Sequence, residues 1–232
     1  MSRHMKAYTA PKFYKVSPKS RPWVVKPLPG PHKKDECIPL AIVLRDVLKI
    51  CDTLKEAKRI LTAGEVYVDG RLRKEYKFGV GLMDVITIKS LGKNYRVVLD
   101  SSGLKIIEIP EKEANLKLCR INRKTMIKGK KIQLGTHDGR SIIASNEYKT
   151  GDSILIELPS QKILEHLKME NGNLGLITGG ENIGKLARIK AVKTTRSREP
   201  NKVTCELEGR EIDAVKDDVF VVGTTKPRIK IE

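Results

Sequence analysis

The feature that most constrains the fold is a helix that runs directly into a β-hairpin within residues 54–75. Thr53 and Glu56 form a capping-box pattern, which predicts that the helix begins after Thr53, and Gly64 predicts where it ends. The residues after Gly64 alternate apolar and polar at strand spacing, and Asp69-Gly70 is a strong signal for a two-residue hairpin turn. A small α+β unit must therefore form around this segment.

Strong positive charge limits the partners that such a chain can have. The sequence holds 46 Lys and Arg against 28 Asp and Glu, which gives a net charge of +18. A charge of this size destabilises the compact state by self-repulsion unless a polyanion offsets it. Nucleic acid is the first partner that this indicates, an acidic membrane surface the second and acidic proteins the third. Because the sequence has neither an apolar run of membrane-spanning length nor a helix with a basic and a bulky apolar face, we expect a soluble intracellular protein without membrane association.

Residues 1–37 form a segment rich in proline and cations. Residues 1–34 carry nine Lys and Arg, no acidic residue and four of the ten aromatic residues. Proline disfavours helices and central strands, so we expect an extended and, on its own, mostly disordered arm that stacks its rings on nucleic acid when it binds. The alternative is a solvated tail whose aromatic residues pack on a neighbouring domain. The candidate binding residues of the arm are Lys6, Lys12, Arg21, Trp23, Lys26, Lys33 and Lys34.

The rest of the chain divides into further domains, and the predicted fold class is α+β, multidomain. Residues 38–91 predict a small α+β domain with two helices, the hairpin and a further strand. Residues 92–171 contain short alternating runs separated by turn signals, which is typical of a small all-β domain, with a linker helix over 159–172. Residues 172–226 predict a small β-barrel, and residues 227–232 a basic tail that frays.

Cationic stretches also occur in these domains. The hairpin segment carries Lys55, Lys58, Arg59, Arg71, Arg73 and Lys74. Residues 117–131 hold seven cations and no acid, and residues 185–202 hold seven cations and one acid. A solvated face explains any one stretch, but four such regions, counting the arm, indicate many modest phosphate contacts and salt-sensitive binding, as in recognition of double-stranded RNA by shape. The candidate contacts outside the arm and the hairpin are Arg123, Lys124, Lys185, Arg188, Arg196 and Arg198.

Residues 179–186, "GGENIGKL", fit the G-x-x-x-x-G-K core of a phosphate-binding loop. Leu186 stands where such a loop needs Ser or Thr to hold magnesium, and the segment that follows alternates like a strand rather than opening a helix. The glycines therefore predict a tight turn between strands and not a nucleotide site.

No arrangement of residues indicates catalysis or metal binding. The four cysteines, Cys37, Cys51, Cys119 and Cys205, never form a C-x-x-C pair, so neither a zinc site nor a disulfide framework is expected, and the thiols should be free. The histidines are scattered, and His137-Asp138 fits a structural turn better than a catalytic site. We therefore expect no catalytic residue, no cofactor, no metal and no small-molecule substrate.

Residues 56–74, "EAKRILTAGEVYVDGRLRK", resemble the alpha-L RNA-binding motif. Further segments resemble, in the same order along the chain, the archaeal and eukaryotic family of small-subunit ribosomal protein four that carries the suffix "e". These segments are "TAPKFY" at 9–14, "GPHKKDECIPL" at 30–40, "GLMDVITI" at 81–88, "KLCRI" at 117–121, "THDGRSI" at 136–142 and the KOW-like "GNLGLITGGENIGKLARI" at 172–189.

The resemblance implies a structural component of the small ribosomal subunit that contacts ribosomal RNA and neighbouring ribosomal proteins in the cytoplasm. It implies that the six cations of the hairpin segment match the RNA-facing edge of the alpha-L motif, and that the C-terminal barrel is of the KOW type. Glu181 stands where family members often carry a cation, so Lys185 and Arg188 are the expected contacts in that turn. The short length resembles archaeal members.

Two other functions stay open on the sequence. One is an accessory domain of an RNA-modifying enzyme, because alpha-L motifs also occur fused to pseudouridine synthases. Those enzymes resemble Gly-Arg-Leu-Asp at the catalytic aspartate, whereas Gly70-Arg71-Leu72 is followed by Arg73 inside the hairpin, and no other segment is long enough for such a catalytic domain. The other is a free-standing RNA chaperone or KOW-type transcription factor.

Overall fold

The chain folds into two compact units, the first of mixed α and β structure and the second built, over its described residues, from strands and one 3₁₀ turn. The computed structural model describes residues 4–19, 21–195, 197–207 and 209–231. One unit comprises Met1–Val98 and Ser102–Asn115, and the other comprises Leu99–Ser101 and Leu116–Glu232. Among the described residues, no helix has the length and apolar character needed to span a bilayer.

The first unit is built on an antiparallel sheet with the strand order β5-β4-β7-β8-β9, beside the short pairs β1-β2 and β3-β6. Helix α1 continues as a π-helical segment over Val43–Val47, and short 3₁₀ turns occur at Ala7–Thr9, Lys12–Tyr14, Lys34–Glu36 and Lys89–Leu91. The elements are β1 (Met5–Lys6), β2 (Trp23–Val24), β3 (Cys37–Pro39), α1 (Leu40–Ile42), α2 (Leu54–Ala63), β4 (Val66–Val68), β5 (Arg71–Leu72), β6 (Gly79–Gly81), β7 (Val85–Ile88), β8 (Lys93–Asp100), β9 (Gly103–Ile109) and α3 (Glu111–Ala114).

Helix α2 and the following hairpin have the structure that the sequence predicts. The Thr53 hydroxyl accepts a hydrogen bond from the Glu56 backbone N–H at 3.2 Å, and the Glu56 carboxylate accepts one from the Thr53 N–H at 3.3 Å, which completes the capping box. Gly64 ends the helix with a positive φ of 86°. Asp69 and Gly70 both have positive φ, 52° and 72°, as a type I′ turn between β4 and β5 requires.

The N-terminal arm is ordered against the first unit, so the prediction of a mostly disordered segment is wrong for its described residues. Tyr14 is fully buried, and the Leu28 N–H donates to the Lys77 carbonyl oxygen at 3.0 Å. His32 Nε2 lies 2.9 Å from an Asp84 carboxylate oxygen, and its ring fills the space that a side chain at Gly81 would need. These contacts join residues far apart in sequence, which local patterns do not reveal.

Strands β8 and β9 extend the sheet that contains the hairpin, through pairing of β7 with β8. The predicted border between residues 91 and 92 therefore falls inside one sheet. The short helix α3 follows β9 at the end of this unit. Arg96 on β8 is fully buried and reaches the Glu113 carboxylate on α3 at 2.8 Å.

The second unit contains two antiparallel sheets with the orders β12-β11-β10-β13-β14 and β18-β17-β16-β15-β19, and a 3₁₀ turn at Lys216–Asp218. Its core includes the fully buried Leu118, Ile154 and Leu176. The elements are β10 (Leu116–Ile127), β11 (Lys131–Thr136), β12 (Ser141–Ala144), β13 (Ser153–Glu157), β14 (Ile163–Leu167), β15 (Leu174–Ile177), β16 (Leu186–Lys193), β17 (Lys202–Leu207), β18 (Arg210–Val215) and β19 (Val219–Gly223).

Two predictions about the second unit are wrong. The segment 159–172 is not a linker helix, because β14 lies within it and pairs with β13. The C-terminal tail is not frayed over its described residues: Ile229 and Ile231 are buried, and Arg228 forms an ion pair with Glu165 at 2.7 Å. In both cases long-range pairing outweighs the local sequence signal.

The glycine-rich segment 179–186 forms the predicted turn between β15 and β16, and Leu186 opens a strand. Gly184 has a φ of +82°, and a side chain there would meet the main chain of Asp100 at 2.4 Å. Both the backbone conformation and the close approach require glycine at this position.

Replacing Thr53 with Ala should destabilise the protein by about 1 kcal/mol, because the cap of α2 would be lost. Chemical denaturation of the full chain measures this change in the free energy of unfolding. Thr62→Ala is the matched control, since Thr62 is exposed near the other end of the same helix, away from its N-terminal cap. An equal loss in both variants would contradict the capping role.

Candidate RNA interface

Helix α2 presents three of the predicted contacts on one exposed face. Lys55, Lys58 and Arg59 are spaced by three and four residues, so their side chains are neighbours on the helix surface, and all three are exposed. Ala57 and Leu61 on the opposite face are fully buried. The buried face fixes the helix, and the helix in turn fixes the positions from which the cations extend.

Aromatic rings hold several cations of this unit in place. The Lys58 ammonium lies 4.3 Å from the centre of the Tyr76 ring, and the Lys89 ammonium lies 4.5 Å from that of Tyr67. The hydrogen bond with Tyr67 raises the pKa of Lys89 above its usual value. Sequence reasoning missed Lys89 and the supporting rings, because each of these rings is more than ten residues from its lysine in the sequence.

The three cations of the hairpin differ in exposure. Arg71 and Lys74 are exposed, and among the described residues neither makes an ion pair. The Arg73 guanidinium stacks on the Phe78 ring at 4.4 Å, and its Nε is buried. Arg73 therefore packs the hairpin against the following segment, while Arg71 and Lys74 are available to an anion.

The arm exposes most of its predicted contacts. Lys6, Lys12, Arg21, Lys33 and Lys34 are exposed, and Lys26 is half-buried. Lys33 forms an exposed ion pair with Glu36 at 3.0 Å, which contributes little because water screens it. Trp23, the only tryptophan of the chain, remains 56% exposed on β2.

In the second unit, β10 and β11 form a long ribbon that carries much of the stretch 117–131. Arg123 is exposed on β10. The Lys124 ammonium instead donates to the carbonyl oxygens of Asn146 and Tyr148, both at 2.8 Å, and so supports a neighbouring turn. Three exposed lysines that sequence reasoning did not single out lie at the ribbon tip: Lys128, Lys130 and Lys131.

Lys117 begins the same stretch but does not belong to any surface. Its ammonium is fully buried and lies 2.8 Å from the Asp138 carboxylate, which also contacts the Arg140 guanidinium at 2.8 Å and the Thr136 hydroxyl. Residues 117–119 are all buried, because β10 is covered on both faces here. The stretch therefore contains one structural cation that composition alone does not separate from the others.

Burial by itself raises the pKa of the Asp138 carboxyl, but the Lys117 charge, the electrostatic influence of the neighbouring His137 and the hydrogen bonds from Lys117 and Thr136 outweigh it. The net result is a pKa below the usual range. The ionised carboxylate therefore contributes to folding stability at neutral pH, and this contribution is lost only as the pH falls through the depressed pKa.

Cys119, His137 and Asp138 bring three metal-ligating atoms within 4.8 Å of one another. Those atoms already have partners: the Cys119 thiol donates to Asp138, and His137 Nδ1 accepts from the Arg120 N–H at 3.2 Å. With the Lys117 ammonium on the same carboxylate, we interpret the cluster as a packed ion-pair network. All four cysteines are buried and none forms a disulfide, as predicted.

The C-terminal sheet separates its cations into two groups. Lys185, Arg188 and Arg198 are exposed, whereas Arg196 lies outside the described residues. Other cations of the stretch 185–202 pair with acids: Lys190 with Glu211 at 2.9 Å, Lys193 with Asp213 at 3.4 Å and Lys202 with Glu199 at 3.4 Å. The surface of β16 is thus less positive than its sequence suggests.

Comparison with known families assigns three consecutive parts of the chain. Residues 1–35 match the RS4NT (NUC023) domain, residues 38–86 match the S4 domain, and residues 91–163 match ribosomal family S4e. The exposed cations of α2 and the hairpin thus lie within the S4 domain match, and those of the arm within the first match.

Relatives of known identity match over nearly the whole length. The small ribosomal subunit protein eS4 of Archaeoglobus fulgidus is 51% identical over 220 residues, which cover 95% of this chain and 93% of the relative. The protein of the same name from Methanothermobacter thermautotrophicus is 42% identical over 231 residues, which cover 99% of this chain and 96% of the relative. The crystal structure of the 30S ribosomal protein S4e from Thermoplasma acidophilum matches with a TM-score of 0.72 at 36% identity, covering 83% of this chain and 97% of that one.

Replacing Lys117 with Met should lower the free energy of unfolding by about 3 kcal/mol, because the Asp138 carboxylate would lose a buried partner. Lys131→Met removes an exposed cation from the same ribbon and should change stability by less than about 0.5 kcal/mol. Denaturant titration of both variants measures the difference. Similar stabilities would show that the Lys117 charge is not a structural one.

Proposed function

Because the chain belongs to the eS4 family of small-subunit ribosomal proteins, it is a structural constituent of the small ribosomal subunit, and we propose that it binds ribosomal RNA there through exposed cations on rigid elements. Its place is the cytoplasmic ribosome, and its other partners are neighbouring ribosomal proteins. The relatives are archaeal proteins, in agreement with the resemblance of the sequence to archaeal members.

The observation that carries the proposal is the difference between cations with and without acidic partners. Those without an ion pair among the described residues are exposed, most of them on short helices, turns and strands and three of them, Arg21, Lys74 and Arg198, on connecting segments. Rigid placement lowers the ordering cost that flexible side chains would bring to binding. The proposed contacts of this kind are Lys6, Lys12, Arg21, Lys34, Lys55, Arg71, Lys74, Arg123, Arg188 and Arg198.

The remaining predicted contacts have different roles in the proposal. Lys58, Arg59 and Lys185 add charge beside the first group, and Lys26, Lys33 and Arg196 stay predictions. Arg73 and Lys124 act mainly by holding the backbone of their neighbours, as their contacts with Phe78 and with the Asn146 and Tyr148 carbonyls support.

The functional division of the chain is also a proposal. We propose a basic arm at 1–37, an alpha-L domain at 38–91, a central β domain at 92–171, a KOW-type barrel at 172–226 and a tail at 227–232. The S4 domain match over 38–86 supports the second of these. The sheet of β15 to β19 supplies the strands for the barrel, and its glycine turn supports the KOW assignment.

The family is not an enzyme family, and we propose that this chain has no catalytic activity of its own. The hairpin carries Arg73 where the resembling synthases have an aspartate. Titratable groups buried in the second unit, such as Asp138, are engaged in ion pairs rather than directed at a substrate. Membrane and small-molecule partners have no place in this proposal.

The double variant Arg71→Ala/Lys74→Ala should reduce the salt dependence of binding to small-subunit ribosomal RNA. Each phosphate contact that is lost should lower the slope of log K against log salt by about one unit, so about two units in total. Filter binding over a range of salt concentrations measures the slope. The control is Lys190→Ala/Lys193→Ala, which removes the same charge from residues already paired with Glu211 and Asp213. An unchanged slope in the first variant would exclude the hairpin from the interface.

The full chain should sediment with small ribosomal subunits at low salt and dissociate progressively as the salt concentration rises, because screening weakens phosphate contacts. Gradient sedimentation of a lysate with detection of the protein tests this. A free-standing RNA chaperone would remain in the light fractions at low salt, and that result would contradict a structural role in the subunit.

A further inference from the structure

The ribbon formed by β1 and β2 directs two different kinds of side chain to its two faces. Met5 pairs with Val24 in the register, and both are buried. Lys6 pairs directly with Trp23, and both are exposed. Because strand residues alternate between faces, anchoring the arm through Met5 and Val24 places Trp23 beside Lys6 on the outer face.

Packing of the arm does not depend on the exposed rings. Tyr14 is fully buried, and Phe13 packs over Gly103, so these two aromatic residues hold the arm to its unit. Tyr8 is 76% exposed and Trp23 is 56% exposed. These two rings are therefore open to contact with another molecule.

One side of the Trp23 indole already has a neighbour within the arm. The His4 ring lies 5.7 Å from it between centroids, at an interplanar angle of 58°. The contact leaves the indole open to solvent, since Trp23 is 56% exposed. An aromatic ring with this exposure offers a face on which a base can stack.

The positive charge around the Trp23 ring indicates which kind of molecule binds there. The sequence from residue 1 to residue 34 has no acidic residue, and Lys6 and Arg21 lie beside Trp23 in the ribbon and in the chain. Exposed aromatic rings next to cations are how proteins bind single-stranded nucleic acid, with bases on the rings and phosphates on the cations. A protein partner is the alternative occupant, because exposed aromatic residues and arginine also occur in protein interfaces, and the experiment below distinguishes the two.

We propose that the outer face of the β1–β2 ribbon binds an unpaired segment of RNA, with a base stacked on Trp23 and backbone phosphates at Lys6 and Arg21. Bases within a duplex are stacked on each other and offer no face to the ring, so the site discriminates unpaired from paired RNA. This inference rests on the proposed function and names the form of RNA that the arm binds.

Fluorescence of Trp23 tests the inference in the unmodified full chain, because no other tryptophan contributes to the signal. We expect an unstructured oligouridylate to quench the emission, and a loop-free, blunt-ended RNA duplex with the same number of phosphates to leave it almost unchanged. Equal quenching by both, or quenching by neither, would overturn the inference. If no RNA quenches the emission, a neighbouring protein becomes the expected partner of this face.

Substitutions at Trp23 provide a second, independent test. Trp23→Ala should weaken oligouridylate binding by about five- to hundredfold, the range expected for one stacked base, whereas Trp23→Phe should retain most of the affinity. Leu91→Ala, which removes another exposed apolar side chain of the same unit, should have no effect. Full affinity in the Trp23→Ala variant would overturn the inference, and thermal unfolding checks that each variant is folded.

Binding of whole small-subunit ribosomal RNA by the same variants separates this inference from the proposed function. If Trp23→Ala binds oligouridylate normally while the wild-type chain binds ribosomal RNA with a steep salt dependence, the stacking site is wrong and the proposed function stands. If the wild-type chain binds no ribosomal RNA, both fail.

Discussion

Repulsion among its own cations is the constraint on which the structure of this chain depends. With a net charge of +18, every positive group in the interior must face a negative one, because an isolated charge is strongly unfavourable in a low dielectric. The fully buried Arg96 and Lys117 each meet a carboxylate at 2.8 Å, from Glu113 and Asp138. The cations without such partners remain at the surface, where only a polyanion offsets them. In the folded core, positive charge is offset by carboxylates, and at the surface it is offset by RNA.

Local interactions explain which parts of the fold were predictable. The capping box of Thr53 and Glu56 and the turn at Asp69-Gly70 depend on residues within four positions of each other, so the sequence contains the whole interaction. The order of the arm depends instead on His32 reaching Asp84. Strand β14 forms by pairing with β13, and the tail is held by the ion pair of Arg228 with Glu165. These partners come together only in the folded chain, so neighbouring residues do not reveal them.

The sequence predicts which stretches of the candidate site are basic, but it does not predict which of their cations are exposed and which are paired. The sequence identifies the basic stretches, and most of the named cations are exposed. It does not identify Lys117 as buried, because three consecutive residues of β10 face packed neighbours and the alternation fails. Nor does it show that Lys124 supports the turn at Asn146 and Tyr148 or that Asp213 pairs with Lys193, since these partners are about twenty residues away in the sequence.

Because the arm is packed against its unit, it loses its backbone entropy during folding and not when RNA binds. A disordered arm would lose its backbone entropy when RNA binds, and that loss would reduce the affinity of every contact it makes. Here Tyr14 and the His32–Asp84 pair order the arm during folding. The entropy is then lost before RNA arrives, and the exposed Lys6 and Arg21 start from fixed positions. The same buried contacts that contradict the predicted disorder therefore strengthen the case for the arm as part of the RNA-binding surface.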